Sequence, residues 1–318
     1  MNTTPTTEDR IWSILSHLSA LAFGMGIVLP IIGWSDQRRK SNYATFQSLQ
    51  ALGYQSLGYT VWLLSYLVIA IAASIIVIAM SGTEGGGSGS TAATPAPWII
   101  GFVMLGFLAL YFLLPIIAAV ACALGKDFRY PIMGDRLARY LGYDPFQKSE
   151  EEAWLIEDHE LRWVAAAGHF SVLIMLWGML APLTAWILSG KRSLFLKFQS
   201  MQTLVYQAGV TILYFAGMFL YLAGIFALIA SMFGIGQLDR SSSLGIFGMA
   251  VAVIFLLLGG LIILVIPLLH ILGQWAGYRV LKGDDYRYPL VGRLAGKWIS
   301  KTSRSGTEDR PVDSSPQS

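Results

Sequence analysis

The chain has 318 residues, of which 55% are hydrophobic and only 13% charged, with a formal net charge of +3. A soluble domain carries roughly 25% charged residues, so this composition cannot cover a water-facing surface and reads as an integral membrane protein. The small net charge, with no basic stripe interleaved with aromatics, excludes a nucleic-acid binder, and a single cysteine, Cys122, excludes an internal disulfide.

In chain order, residues 1–9 form a polar tail. Glu8 and Asp9 precede the first apolar run, where a signal peptide would carry a basic segment, so no cleavable leader is expected. Ile11–Trp34 is apolar but interrupted by Gly24, Gly26 and Pro30, and the charged stretch Asp36–Lys40 follows. Four runs carry no charged residue: Leu57–Met80, Trp98–Leu124, Ala208–Ser231 and Leu244–Ala276. Each is long enough to span a bilayer as a helix, which takes about 20 residues. Gly82–Pro97 reads as a flexible loop, and Pro115 as a kink within the second span. The acidic stretch Asp144–Glu160 joins the repeats as a water-exposed linker helix, with the linker segment set at 141–159, and Ser149–Glu152 has the form of a capping box. The tail 299–318 reads as disordered.

The plan of one half returns in the other. Phe46-Gln47-Ser48-Leu49-Gln50-Ala51-Leu52-Gly53-Tyr54-Gln55 recurs 152 residues later as Phe198-Gln199-Ser200-Met201-Gln202-Thr203-Leu204-Val205-Tyr206-Gln207. At that offset, residues 10–55 match 162–207 at 15 of 46 positions without a gap, including His17/His169, Gly26/Gly178, Pro30/Pro182 and Trp34/Trp186. Pro115/Pro267 keeps the same offset. The chain is therefore read as a tandem duplication, repeat 1 over 10–140 and repeat 2 over 160–298. Six extra residues are assigned between Pro267 and Tyr286-Arg287-Tyr288-Pro289, the echo of Phe128-Arg129-Tyr130-Pro131.

Topology turns on Ile11–Trp34 and its copy. If these segments span, the 22 basic residues divide 12 to 10; if they are re-entrant or interfacial hairpins, the division is 21 to 1, with Arg240 alone. The positive-inside rule selects the second arrangement. The expected fold is all-α integral membrane, two parallel tandem repeats, each with two spanning helices and a re-entrant or interfacial helical hairpin. Both termini are expected in the cytoplasm of a bacterial inner membrane.

Candidate functional residues are the repeated polar ones. His17 and His169 lie in equivalent apolar helices, and Gln47, Gln50 and Tyr54, like Gln199, Gln202 and Tyr206, share a helix face at i, i+3 and i+7. Histidines and amides so placed are either hydrogen-bonded glue between helices or the lining of a path. His270 and Gln274, after Pro267, form a weaker, asymmetric pair, with Ala118 and Cys122 expected at the corresponding positions of repeat 1. No His-x-x-x-His or Glu-x-x-His spacing points to a metal. No catalytic triad, phosphate loop or paired carboxylate appears in a span, so neither an enzyme nor a cofactor is expected. The expected partners are the bilayer and other membrane subunits, not nucleic acid.

His17-Leu18-Ser19-Ala20, Pro30 with Trp34, Phe46-x-x-x-Gln50-Ala51 and Phe128–Pro131, together with their copies, resemble a bacterial family of unknown function. That family is related to the Tic-twenty subunit of the chloroplast import machinery. The resemblance covers nearly all of the ordered chain. It departs at Gln47 and Gln199, where the family often carries histidine. It implies a non-enzymatic scaffold or path component of translocon type. A transporter of small molecules or ions, with its site at a pseudo-twofold repeat interface, is the alternative from a different class.

Overall fold

The protein is described by a computed structural model over residues 4–81, 96–144, 154–190, 192–233 and 243–298. The elements are helical: α1 (Thr7–Leu18), a 3-10 segment (Ser19–Ile27), α2 (Val28–Gln37), α3 (Asn42–Ser81), α4 (Ala96–Ala123) and α5 (Gly134–Leu141). Repeat 2 continues with α6 (Glu157–Phe170), a 3-10 segment (Ser171–Met179), α7 (Leu180–Ser189), α8 (Leu194–Phe233) and α9 (Ser243–Leu281). Residues 291–298 are also helical, and no strand occurs among the described residues.

Six stretches are long and apolar enough to cross a membrane, including 7–37 and 157–189 at 31 and 33 residues. Kept straight, either would be about 45–50 Å long. Instead, each folds back. The Gln37 amide donates to Glu8 over 3.0 Å, so the two ends of the first stretch touch. A Cβ on Gly33 would meet Ser16 Oγ at 3.0 Å and Trp12 at 3.4 Å, so α2 runs back along α1. In repeat 2, α6 and α7 pack together, and a Cβ on Gly168 would lie 3.6 Å from Pro182. Both stretches are therefore helical hairpins that begin and end on one side.

The break is the same in both copies. Phe23 has φ 51° and ψ −143°, and Met175, 152 residues on, has φ 52° and ψ −123°. A side-chain-bearing residue at positive φ is costly and persists only where its surroundings hold it. The sharp return also forces close approach: a Cβ on Gly26 would sit 1.8 Å from the Ser19 carbonyl oxygen, and one on Gly178 2.0 Å from that of Ser171. The freed carbonyls need donors. Gln55 donates to the Ser16 carbonyl and to Ser19 Oγ, and Gln207 donates to the Gly168 carbonyl and to Ser171 Oγ.

The spans are α3, α4, α8 and α9. At 40 residues, α3 is about 60 Å long, twice the hydrocarbon thickness. Its first turns, from Ala44 to Gly53, are buried; from Val61 to Ile76 most of its leucines, isoleucines and valines face outward, as lipid requires. The repeats are parallel. Their hairpin turns meet, since a Cβ on Gly24 would press on Ile174 and Trp177, and their bases meet where Arg38 pairs with Glu157 over 2.8 Å.

Two sequence expectations change here. Glu160 was grouped with the water-exposed linker, yet α6 starts at Glu157 and Glu160 is fully buried. The capping box at 149–152, the tail 299–318, Arg240 and most of the 82–97 loop lie outside the described residues. The extra six residues of repeat 2 also move. Tyr54 donates to the Tyr111 carbonyl and Tyr206 to that of Leu269; these acceptors stand 158 apart, as do the buried Ala118/Ala276 and the positive-φ Gly125/Gly283. The insertion therefore precedes this stretch, and Pro115 and Pro267 are not structural equivalents. The counterparts of His270 and Gln274 are then Phe112 and Ile116.

The span pairs also differ. α8 and α9 pack closely along their length because Gly217, Gly224 and Gly259 let the backbones meet; a Cβ on Gly259 would lie 2.5 Å from Tyr221 N. Repeat 1 has Ser65 and Ala72 in place of Gly217 and Gly224, and α3 and α4 splay. An apolar cavity of about 150 Å³ opens there, lined by Phe23, Tyr59, Trp62, Leu108 and Tyr111.

Single cysteines at Thr7 and Lys40 in a Cys122→Ser background should label with impermeant maleimide from one side of the membrane, and one at Ser88 from the other. Labelling of positions 7 and 40 from opposite sides would show that residues 7–37 cross.

Candidate functional site

The repeated polar residues converge on one buried node per repeat, where the hairpin, the long helix and the loop after the second span meet. In repeat 1, His17 Nε2 lies 3.0 Å from Gln47 Oε1 and Nδ1 lies 3.0 Å from the Tyr130 hydroxyl. An amide oxygen only accepts, so the arrangement that satisfies all partners has Nε2–H donating to Gln47 and Nδ1 accepting from Tyr130. The Gln47 amide donates to Asp127 and to the Phe128 carbonyl. The Gln50 amide donates to Gln47 Oε1 and the Phe128 carbonyl, while its oxygen accepts the Tyr130 N–H at 2.7 Å.

Repeat 2 reproduces these bonds one for one. His169 meets Gln199 at 3.1 Å and the Tyr288 hydroxyl at 3.0 Å; Gln199 donates to Asp285 and to the Tyr286 carbonyl; Gln202 donates to Gln199 and Tyr286 and accepts from Tyr288 N. Tyr54 stacks on Tyr130 with ring centroids 4.2 Å apart, and Tyr206 on Tyr288 at 4.0 Å. In repeat 1 the Tyr54 hydroxyl also serves the Tyr111 carbonyl, whose helical donor is lost because residue 115 is proline. Both histidines and all four glutamines of the nodes are fully buried.

At the mouth of the first node, burial pushes the Asp127 carboxyl up, while Arg129 beside it and hydrogen bonds from Tyr143 and Gln47 act the other way. Among the described residues no cluster of three or more His, Cys, Asp or Glu side chains is arranged to hold a metal.

The weaker pair does not form a site. Gln274 donates to the Phe170 carbonyl and accepts from Thr60, which ties α9 to α3 across the repeats, whereas His270 makes no hydrogen bond to a described residue. Among the described residues, side chains fill the repeat interface. Trp34 Nε1 donates to Glu160 at 2.8 Å, Arg38 and Arg39 pair with Glu157, and the Trp163 indole donates to the Leu49 carbonyl while its ring fills the space left by Gly53.

Sequence reasoning missed Asp127/Asp285, the tyrosines of the aromatic-Arg-Tyr-Pro motif and Gln55/Gln207 as parts of one constellation. The signal was present: an aspartate precedes that motif in both copies.

Fold and node together define a polytopic α-helical membrane protein made by tandem duplication, with each copy's buried polar groups bonded around one hairpin. The chain belongs to the MamF/MmsF family, the magnetosome magnetite crystal formation protein family, whose profile matches residues 8–137 and again 160–295. No curated protein and no solved structure matches it. This family match overturns the resemblance to the Tic-twenty-related family. The residues that carried the resemblance, His17, Pro30, Trp34, Gln50 and Phe128–Pro131, build the hairpin and its anchor, so they report how the chain packs and not what it does.

Gln50→Leu strands the Tyr130 N–H in a buried site, at a cost of about 1–3 kcal/mol. It should lower the melting temperature in detergent, and Gln202→Leu should do the same by a comparable amount. Unchanged melting of both variants would show that the nodes do not hold the hairpins.

Proposed function

We propose that the chain is a non-enzymatic scaffold of the magnetosome membrane that takes part in magnetite crystal formation as a rigid framework, without passing a solute through its repeats. One observation carries this reading. The histidine and glutamines of each node are bonded within their own repeat, to neighbouring helices and to the loop after the second span. A path would present such groups to its lumen; here they hold a strained hairpin against a long helix, which is what a framework needs.

The membrane orientation follows from charge. Every lysine and arginine among the described residues lies toward the hairpin bases, and the positive-inside rule turns that side to the cytoplasm. The far ends of α3 and α8 then lie on the opposite face, toward the compartment in which the mineral grows. Other membrane proteins of that compartment are the partners such a framework would organise.

The test separates framework from transport. Magnetite-forming cells lacking the chain should make crystals of altered size or shape, and re-expression should restore them. Proteoliposomes containing the purified chain should take up labelled iron no faster than empty vesicles. Chain-dependent iron uptake would overturn the scaffold reading.

A further inference from the structure

The hairpins thicken one half of the molecule and leave the other thin. α1 and α6 have 12 and 14 residues. Each therefore reaches about 18–21 Å from the hairpin base, more than half of a hydrocarbon core of about 30 Å. In that half, four hairpin helices, α1, α2, α6 and α7, pack around the spans. The change of section shows along α3. From Ala44 to Gly53 every residue is buried, whereas Leu63, Leu64, Tyr66, Leu67 and Val68 are exposed in near succession, around most of the helix. Among the described residues, neither α3 nor α4 packs along α8 or α9. Beyond the turns, lipid thus enters between the two pairs of spans.

The hairpins lie within the bilayer and not above it. Between their charged bases, every exposed side chain they carry is apolar. Ile11, Leu15, Leu21, Phe23 and Met25 of the first are 41–56% exposed, and Leu176, Trp177 and Ile187 of the second 45–64%. Beside the first hairpin, α4 keeps Ile117, Val120 and Leu124 exposed. These lead up to Gly125, where the Arg10 guanidinium marks the hairpin base. Contact with lipid therefore runs the full height of the hairpin.

We propose that the chain is a wedge that bends its bilayer and gathers where a bilayer is already bent, with the hairpin side convex. At about 10–12 Å across, four extra helices add roughly 300–450 Å² to one leaflet. The leaflet that holds the larger area becomes the outer one of the curve, which is why helices inserted into one leaflet respond to curvature. With the hairpin bases toward the cytoplasm, the convex side is the cytoplasmic one, the sense in which a membrane closes around an internal compartment. The wedge rests on the hairpin topology and not on the scaffold reading, and iron uptake by vesicles bears on the second alone.

Giant vesicles with membrane tubes pulled outward test it, using the full chain at low density in a Cys122→Ser background. In such a tube the outer leaflet is the convex one. An impermeant fluorescent maleimide added outside marks a Thr7→Cys variant only in molecules whose hairpin bases face out. It marks a Ser88→Cys variant only in molecules of the opposite orientation. Chain labelled at position 7 should be enriched severalfold on the tube over the flat membrane, more so as the tube narrows, and chain labelled at position 88 should be depleted. Equal density of both on tube and vesicle would overturn the proposal. So would enrichment of both, which would signify an attraction to tubes that ignores the side on which the hairpins lie.

Discussion

A helix that turns back within a membrane leaves carbonyl groups without donors, and the rest of this structure answers that constraint. Water is absent at that depth, and an unpaired peptide group there costs several kcal/mol. Gln55 and Gln207 reach the carbonyls freed at the end of α1 and α6, and the same long helices place Gln47/Gln50 and Gln199/Gln202 about one to two turns earlier, where they grip the loop after the second span. One helix thus supplies the donors for the hairpin turn, the partner for the histidine and the clamp for the returning chain. This is why α3 and α8 must extend well beyond the bilayer, and why their buried turns are polar where the remainder is apolar.

The hairpin in turn determines topology. Because it does not cross, each repeat starts and finishes on the same face, the repeats run parallel, and the same surface is presented twice in one orientation. Repeats related in that way meet turn to turn and α2 to α7, and also through unlike elements, α3 against α6. The buried Trp163–Gly53 contact and the Trp34–Glu160 hydrogen bond are that meeting, with Arg38 and Arg39 closing its charged edge. Closely packed α8 and α9 against splayed α3 and α4 then show how one duplicated plan diverges: Gly217 and Gly224 of α8, with Gly259 of α9, let the two backbones approach, where α3 has Ser65 and Ala72.

Much of this was legible in the sequence for physical reasons. Identical polar residues in apolar surroundings had to find partners, so the repeated histidine and glutamines marked buried contacts before any coordinates. The lopsided distribution of lysine and arginine decided between spanning and re-entrant segments. Other features were hidden. A register shift within an apolar helix costs little in pattern, so the coincidence of Pro115 and Pro267 suggested an alignment that the Tyr111/Leu269 carbonyls displace. Asp127 and Asp285 sit among Lys126, Arg129 and Arg287 and read as ordinary surface charge. Glu160 read as linker because its burial depends on Trp34 and Arg38 from the other repeat. The resemblance pointed to another family because the residues that carried it, such as His17, Trp34 and Gln50, hold this chain's hairpins in place.

The central claim is that residues 7–37 return to the side on which they start. Spin labels at Thr7 and Lys40 in the reconstituted chain measure this directly through their dipolar coupling. The account predicts a short separation, on the order of 10–20 Å, because the Gln37 amide touches Glu8 and label tethers add only a few residue lengths. A separation near 45 Å, the length of an unbroken helix over these 31 residues, would contradict it.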